Sequence, residues 1–399
     1  MKPNSSGRQI ARQFLPWLSL LCSLSLYALH FLVGGGRTKL INDSQAYLLL
    51  AEGERVVGAP FSSRIFAPFI ASLIALASGV SSLLAFQILT LAAFIASLVL
   101  LRRIIANHGG SAEWQAAVLL AFGCALAATF GYTPVMADPV LLLLACVTIL
   151  ALDRGYFVAA VVLSCLAALT KEYGLLLGFA SCLVAWHRGH RKVAYVGALL
   201  PAIFLLLAMF IASGTSGSSF VSWQGFVTAM FGYHTYLFHF RGASDYPKLL
   251  YMWSWSALWP VLVIAGGVVF SGLRKGIKMG DQELAFSLML VALPFLLLGD
   301  WGRALLIVVP FGCAVATSHP LARNGQFATL LAIGGLSTAL ARPLHSEPLL
   351  PHILTLTMTI ISLAASLLIG IKILQFALSS SGPQLDQGLE DPSPAVAAR

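Results

Sequence analysis

Apolar segments follow one another along almost the whole chain, separated by short polar joints. They lie at about 14–34, 66–80, 83–101, 115–131, 137–152, 155–170, 173–187, 193–212, 251–272, 283–299, 302–318, 326–342 and 352–377. A helix crossing a bilayer needs about 20 predominantly apolar residues, and within the hydrocarbon every backbone polar group must be satisfied internally. A chain that repeats this pattern has few folds open to it. The charge count closes off the others: 24 Lys and Arg with 15 Asp and Glu make up 10% of 399 residues, where a soluble domain carries about 25%. Mean hydropathy is +0.87. A soluble enzyme, a disordered chain and a disulfide-stapled secreted module are excluded. The expected fold is an all-α polytopic membrane protein, with any chemistry in loops and at span ends.

The distribution of the basic residues sets a topology, because cytoplasmic loops are enriched in Lys and Arg. The first apolar stretch follows Lys2, Arg8 and Arg12 and ends in Gly34-Gly35-Gly36-Arg37 rather than at a small-x-small cleavage site. It reads as a retained span with its N-terminus inside. If 66–80 were a full span, Arg102-Arg103 and the cluster Arg188, Arg191, Lys192 would lie outside. If 66–80 is re-entrant or interfacial, 15 of the 24 basic residues fall inside. The second arrangement is preferred: about 12 transmembrane helices, both termini cytoplasmic, and an interfacial or re-entrant helix in the first outer loop. Residues 1–378 then form a single transmembrane domain with outer loops at 35–82 and 213–250. Residues 379–399, rich in Ser, Pro, Gln and Asp, form a disordered cytoplasmic tail.

The formal charge of +9 is thus a topology signal. No Lys/Arg run with interleaved aromatics suggests nucleic acid. The six cysteines (Cys22, Cys124, Cys146, Cys165, Cys182, Cys313) all sit in apolar runs without a CxxC pair, and they read as small hydrophobic side chains.

With this topology the candidate functional residues share the outer face. Asp43 lies in the first outer loop, where Asn42-Asp43-Ser44 precedes a short helix over Gln45 to Glu54. Arg64 follows in the same loop. Asp138 begins a span, Lys171-Glu172 ends another, and Asp300 and Arg303 occupy a turn between two spans. Ionisable groups at membrane depth are costly and often functional. Each also has a structural reading. Asp43 suits a helix cap. Asp138 precedes Pro139, which fits a first helical turn. Lys171-Glu172 suits a charged span end, and Asp300 with Arg303 suits an exposed turn pair, which is weak. His234 and His239 stand among the aromatics of the 213–250 loop, and aromatic belts are routine at membrane surfaces. Two histidines five apart are no zinc signature, and no metal ligands are assigned.

The order of motifs, INDSQAYLLLAEG, PFSSRIFAP, a span ending in LRR, GYTPVMADPVLLLL, LAALTKEYGLLLG and LGDWGRALLIVVP, resembles the integral-membrane glycosyltransferases of the GT-C fold. The likeness is greatest to bacterial members that build cell-surface glycopolymers, and it covers roughly residues 14–320. It implies an inner-membrane enzyme whose active site faces the periplasm. Such an enzyme moves a sugar from a polyprenyl-phosphate carrier to a glycan or lipid acceptor with inversion. By the resemblance Asp43 is the general base. Arg303, then Arg64 and Lys171, stabilise the leaving lipid phosphate, and Asp138 and Glu172 bind sugar hydroxyls or orient the cations. Some members carry paired acids in the first outer loop. Here Asn42 precedes Asp43 and Gln45 follows, with Glu52 and Glu54 about ten residues on. That departure weighs against a divalent cation, and the cofactor stays open. There is also no large soluble C-terminal domain.

Two other functions stay open. An O-antigen-type glycan polymerase or ligase also has many spans and a long outer loop, and Arg241, His234 and His239 would serve it. A lipid or sugar transporter would hold its polar site near the midplane between repeats; the acids here sit at span ends and no repeat is evident.

Overall fold

A computed structural model describes residues 5–33, 43–54, 64–216, 259–274, 278–296, 301–341, 343–344, 347–348 and 352–379. The described elements are helical except for a two-residue antiparallel pair, Pro343–Leu344 with Glu347–Pro348. The helices are α1 (Ser5–Val33), α2 (Asp43–Ala51), α3 (Phe66–Ser78), α4 (Ser82–Asn107), α5 (Ala112–Tyr132), α6 (Asp138–Asp153) and α7 (Phe157–Thr170). They continue with α8 (Leu175–His187), α9 (Arg191–Ser216), α10 (Trp259–Arg274), α11 (Asp281–Leu296), α12 (Trp301–Ala316), α13 (Gly325–Ala341) and α14 (His352–Ser379). Two 3-10 turns, Glu172–Gly174 and Pro320–Arg323, join α7 to α8 and α12 to α13.

Five of the described helices are long and apolar enough to cross a bilayer: Gln13–Val33, Ser82–Asn107, Ala112–Gly131, Arg191–Ala208 and Ile353–Leu378. Their surroundings differ. The α5 span is 94% buried within the protein, and the α14 span only 17%. Leu356, Ile360 and Leu367 of α14 and Leu199 and Leu206 of α9 are exposed. An apolar surface of this extent is at home in lipid, and the protein is a membrane-embedded helical one. α6 is buried on every side, from Asp138 through Leu152 apart from Leu143 and Val147. α3 has 13 residues, about 20 Å at 1.5 Å per residue, short of the roughly 30 Å hydrocarbon thickness.

Three hairpins close in the same way. α4–α5, α6–α7 and α8–α9 turn at Gly109, Gly155 and Gly189, with φ of 82°, 74° and 83°. At each, the glycine N–H and the next N–H donate back to the preceding helix. For α6 these are Gly155 to the Leu152 carbonyl (3.0 Å) and Tyr156 to the Ala151 carbonyl (2.8 Å). This is a Schellman closure, whose left-handed residue is cheapest as glycine. Within the helices, hydroxyls are satisfied locally. Ser97, Thr148, Ser164 and Thr170 each donate to the carbonyl four residues back, which removes a polar cost from an apolar interior.

The hairpins give the bundle two distinct ends. At one end His108 meets Asp153 (3.5 Å), Gln282 donates to Asp153 (2.6 Å), and Arg188 donates to Asp281 (2.7 Å). Trp114 donates to Thr317 there as well (3.3 Å). This end also carries Arg102, Arg103, Arg154, Arg191, Lys192 and Arg323 in the adjoining helix ends and turns. The opposite end holds far fewer charges among the described residues: Glu52 and Glu54 are exposed after α2, and Arg64, Asp138, Lys171 and Glu172 are buried.

Candidate functional site

The buried charges of the second end come from three segments. Thr170 closes α7, and Lys171 is fully extended, with φ −164° and ψ 146°. The chain then tightens into the Glu172–Gly174 turn, where the Gly174 N–H donates to the Lys171 carbonyl at 2.8 Å. One extended residue followed by a tight turn sends two adjacent side chains to different partners. The turn packs so closely on α7 that a Cβ at Gly174 would collide with backbone atoms of Ala167. Glycine is needed here for space.

Lys171 Nζ donates to Asp138 Oδ1 at 2.9 Å, and both side chains are 1% exposed. Asp138 stands in the first turn of α6 ahead of Pro139, where the helix amino end favours a negative charge. The Lys171 ammonium also lies 5.6 Å from the Tyr173 ring, within cation–π range.

Glu172 pairs with Arg64 on the segment leading into α3. Arg64 Nε donates to Glu172 Oε1 at 2.9 Å and the second guanidinium nitrogen to Oε2 at 3.0 Å. This bidentate fork is the strongest geometry available to the pair. Arg64 Nη1 donates to the Tyr47 hydroxyl at 3.1 Å. Burial disfavours the Arg64 charge, but Glu172 and Tyr47 outweigh it and hold the guanidinium pKa well above its ordinary value. Tyr47 is itself buried, its ring 6.2 Å from that of Phe86 on α4. It anchors α2 to the bundle.

Arg64, Asp138, Lys171 and Glu172, candidates from the sequence for substrate binding, are thus brought together as two buried ion pairs, as the structural reading of Lys171-Glu172 as a charged span end also allows. Asp43 is the first residue of α2. It is four residues before Tyr47, one turn away on the same helix face, a rise of about 6 Å. Arg303 lies in the first turn of α12, and α12 packs against the Glu172–Gly174 turn. The side chains of Asp43 and Arg303 lie outside the described residues, as do Asp300, His234 and His239 and most of the 213–250 loop. Tyr47 and Tyr173 had not been singled out. The spacing of Tyr47 from Asp43, one helical turn, was the available signal for the first.

Among the described residues, no group of three His, Cys, Asp or Glu side chains could hold a metal ion. The six cysteines are free thiols. Chemically, the arrangement is a buried, charge-balanced frame: two cations and two carboxylates fix α2, α6, the α7–α8 turn and the approach to α3 at one end of the bundle. Comparison with known proteins found no match for the chain among protein-family models, curated proteins or solved structures.

Proposed function

We propose that this protein is a membrane glycosyltransferase of the GT-C kind. In this reading it has about 12 spans, with both termini in the cytoplasm and the Arg64–Glu172 end facing outward. It moves a sugar from a polyprenyl-phosphate carrier to a cell-surface glycan or lipid acceptor. The observation that carries the reading is the convergence of Arg64, Asp138, Lys171 and Glu172 beneath the helix that begins with Asp43. Four scarce charges at one end of an apolar bundle form a costly arrangement, and such arrangements cluster at functional sites.

The proposed step divides the labour. Asp43 accepts the proton of the acceptor hydroxyl as its oxygen attacks the anomeric carbon. The bond from that carbon to the carrier phosphate breaks, and the electron pair leaves with the phosphate. Charge grows on the phosphate oxygens, and a cation positioned there stabilises the transition state. Arg303 is assigned that task, since it begins a helix packed against the 172–174 turn. Arg64 and Lys171 are committed to Glu172 and Asp138, so they are positioning residues that hold α2 and the turn in register. Attack opposite the leaving group inverts the anomeric carbon. The carrier's apolar tail stays in the bilayer, which accounts for a transferase built into a membrane.

The test uses the full chain in vesicles supplied with polyprenyl-phosphate sugars. Asp43→Asn is expected to lose transfer by at least a hundredfold, in line with removal of a general base, while inserting normally. Full transfer by the variant removes Asp43 as base.

A further inference from the structure

At the other end of the bundle, the hairpin of α8 and α9 carries side chains that the proposed reaction does not use. α9 has a packed face and an open one. Ala194, Gly197, Pro201, Leu205 and Ala208 recur every three or four residues and are buried. A Cβ on Gly197 would meet Val161 of α7 at 2.8 Å, and a Cβ on Gly178 of α8 would meet Pro201 at 2.8 Å. On the other face Tyr195, Val196, Leu199, Ile203 and Leu206 are exposed, and only 28% of the α9 span is buried. An apolar stripe on a helix of this length faces lipid. From Arg191 to Leu206 it runs about 22 Å, longer than the roughly 15 Å of hydrocarbon that one leaflet contributes.

Cations stand at the head of that stripe. Arg191 is one turn before Tyr195 and Lys192 one turn before Val196, so both belong to the open face, and both are exposed. Trp186, near the end of α8, holds the guanidinium: Arg191 Cζ lies 5.7 Å from the ring centre, within cation–π range. Tyr195 meets the same ring edge-on at 5.4 Å. A guanidinium held by a ring spends no N–H on that contact, so its donors remain for an anion. The acids of the packed elements are engaged elsewhere. Asp281 accepts from Arg188 (2.7 Å) and meets His187 (3.2 Å). Asp153 accepts from Gln282 (2.6 Å), and Glu283 from the Gly280 N–H (2.9 Å). Among the described residues no acid pairs with Arg191 or Lys192.

We propose that this site binds one net-anionic phospholipid at the bilayer surface. The lipid phosphate sits against Arg191 and Lys192, and one acyl chain lies along the open stripe of α9. Two features name this occupant. Two cations without an acid partner suit a net negative charge, whereas the ammonium of a zwitterionic headgroup would find only acids that are already engaged. An apolar stripe continuous with the cations suits an anion that carries a hydrocarbon chain, and Trp186 and Tyr195 mark the level of the headgroups, where such rings reside. Arg188 takes no part, because it is spent on Asp281. The assignment is independent of the reaction at the opposite end.

The experiment reconstitutes the full chain in nanodiscs containing equal phosphatidylglycerol and phosphatidylethanolamine. The protein is then extracted, and retained lipid is counted by native mass spectrometry. One phosphatidylglycerol per chain is expected, with phosphatidylethanolamine retained far less. The double variant Arg191→Gln/Lys192→Gln should lower phosphatidylglycerol retention about thirtyfold, the worth of two cations near an anionic surface, and because both side chains are exposed the fold is kept. Arg323→Gln, which removes another exposed cation of the same end, should leave retention unchanged. A loss as large from Arg323→Gln means that the end attracts lipid by its overall charge, and overturns the site. Equal retention of the two lipids, retention that survives the double substitution, or no retained lipid in the unsubstituted chain overturns the proposal as well. So does glycerol phosphate, the headgroup without a chain, if it displaces the lipid at equal concentration.

Discussion

Replacing Glu172 with Gln removes one charge from a pair whose side chains are about 10% exposed. The neutral amide keeps the shape and one acceptor oxygen. Arg64 then loses half of its fork and all of its counter-charge, keeping the Tyr47 hydroxyl at 3.1 Å. Removing one partner of a buried pair costs about 3–5 kcal/mol, chiefly because the other charge is stranded. With two of its three hydrogen bonds retained, the cost should fall near the lower end, about 3 kcal/mol. The double variant Arg64→Met/Glu172→Leu strands nothing and fills the space with apolar atoms. Such replacements are often neutral or stabilising, so the double variant should be more stable than Arg64→Met or Glu172→Leu alone, each of which strands a charge at least as badly as Glu172→Gln. The coupling between the two sites should therefore be about 3 kcal/mol or more, at the top of the range for contacting residues. The assay is reversible unfolding in mixed detergent micelles, run as a double-mutant cycle alongside sugar transfer. Under the proposed function the double variant regains stability but not transfer, because its α2 is held without the charge frame. A cost below about 1 kcal/mol for Glu172→Gln would mean that the pair is solvated like a surface bridge, and the reasoning would fail.

Two further outcomes follow from local geometry. Gly174→Ala drives a methyl group into the Ala167 backbone; it should cost about 1–3 kcal/mol, as overpacking does, and weaken the Lys171 and Glu172 pairings. Unchanged thermal unfolding would contradict the tight packing of that turn. His319 accepts from the Leu321 N–H at 3.2 Å through Nδ1, and burial lowers its pKa below the ordinary 6.5. The unfolded chain therefore binds this proton more readily. The stabilisation is complete above about pH 6.5 and is lost as pH falls through the depressed folded value. In unfolding measured from about pH 7.5 down to about pH 5, His319→Asn, which keeps a capping acceptor without titrating, should lose less stability than the unsubstituted chain. Equal losses would exclude His319.

How much of this was legible beforehand varies with the range of the interaction. Helix positions were readable because apolar runs and their breaks are local. α6 was expected over 137–152 and spans Asp138–Asp153; α7 was expected over 155–170 and spans Phe157–Thr170. The closures at Gly109, Gly155 and Gly189 are equally local, each a glycine directly after a polar helix end. Five of the described helices meet the length and apolarity of a membrane span. The full span count of the proposed topology rests on the charge bias of the sequence.

The pairings within the site were not legible. Lys171 and Glu172 are neighbours, yet their partners lie 33 and 108 residues away. Asp138 with Arg64 and Lys171 with Glu172 would have balanced the charges equally well. The choice between them comes from one extended residue and one 3-10 turn, which aim the two side chains apart. Helices that are apolar all round, such as α6, carry no periodic stripe to say which neighbour lies where. Their relative placement is set by small residues at contacts such as Gly123–Ser23 and Gly335–Ala121. The sequence by itself determined a helical membrane protein with its few charges confined to helix ends, because the bilayer admits little else. Only the tertiary structure decided which charges meet, that Tyr47 ties the Asp43 helix to them, and which face of α9 is left open to lipid. Those outcomes depend on packing between segments far apart in the chain.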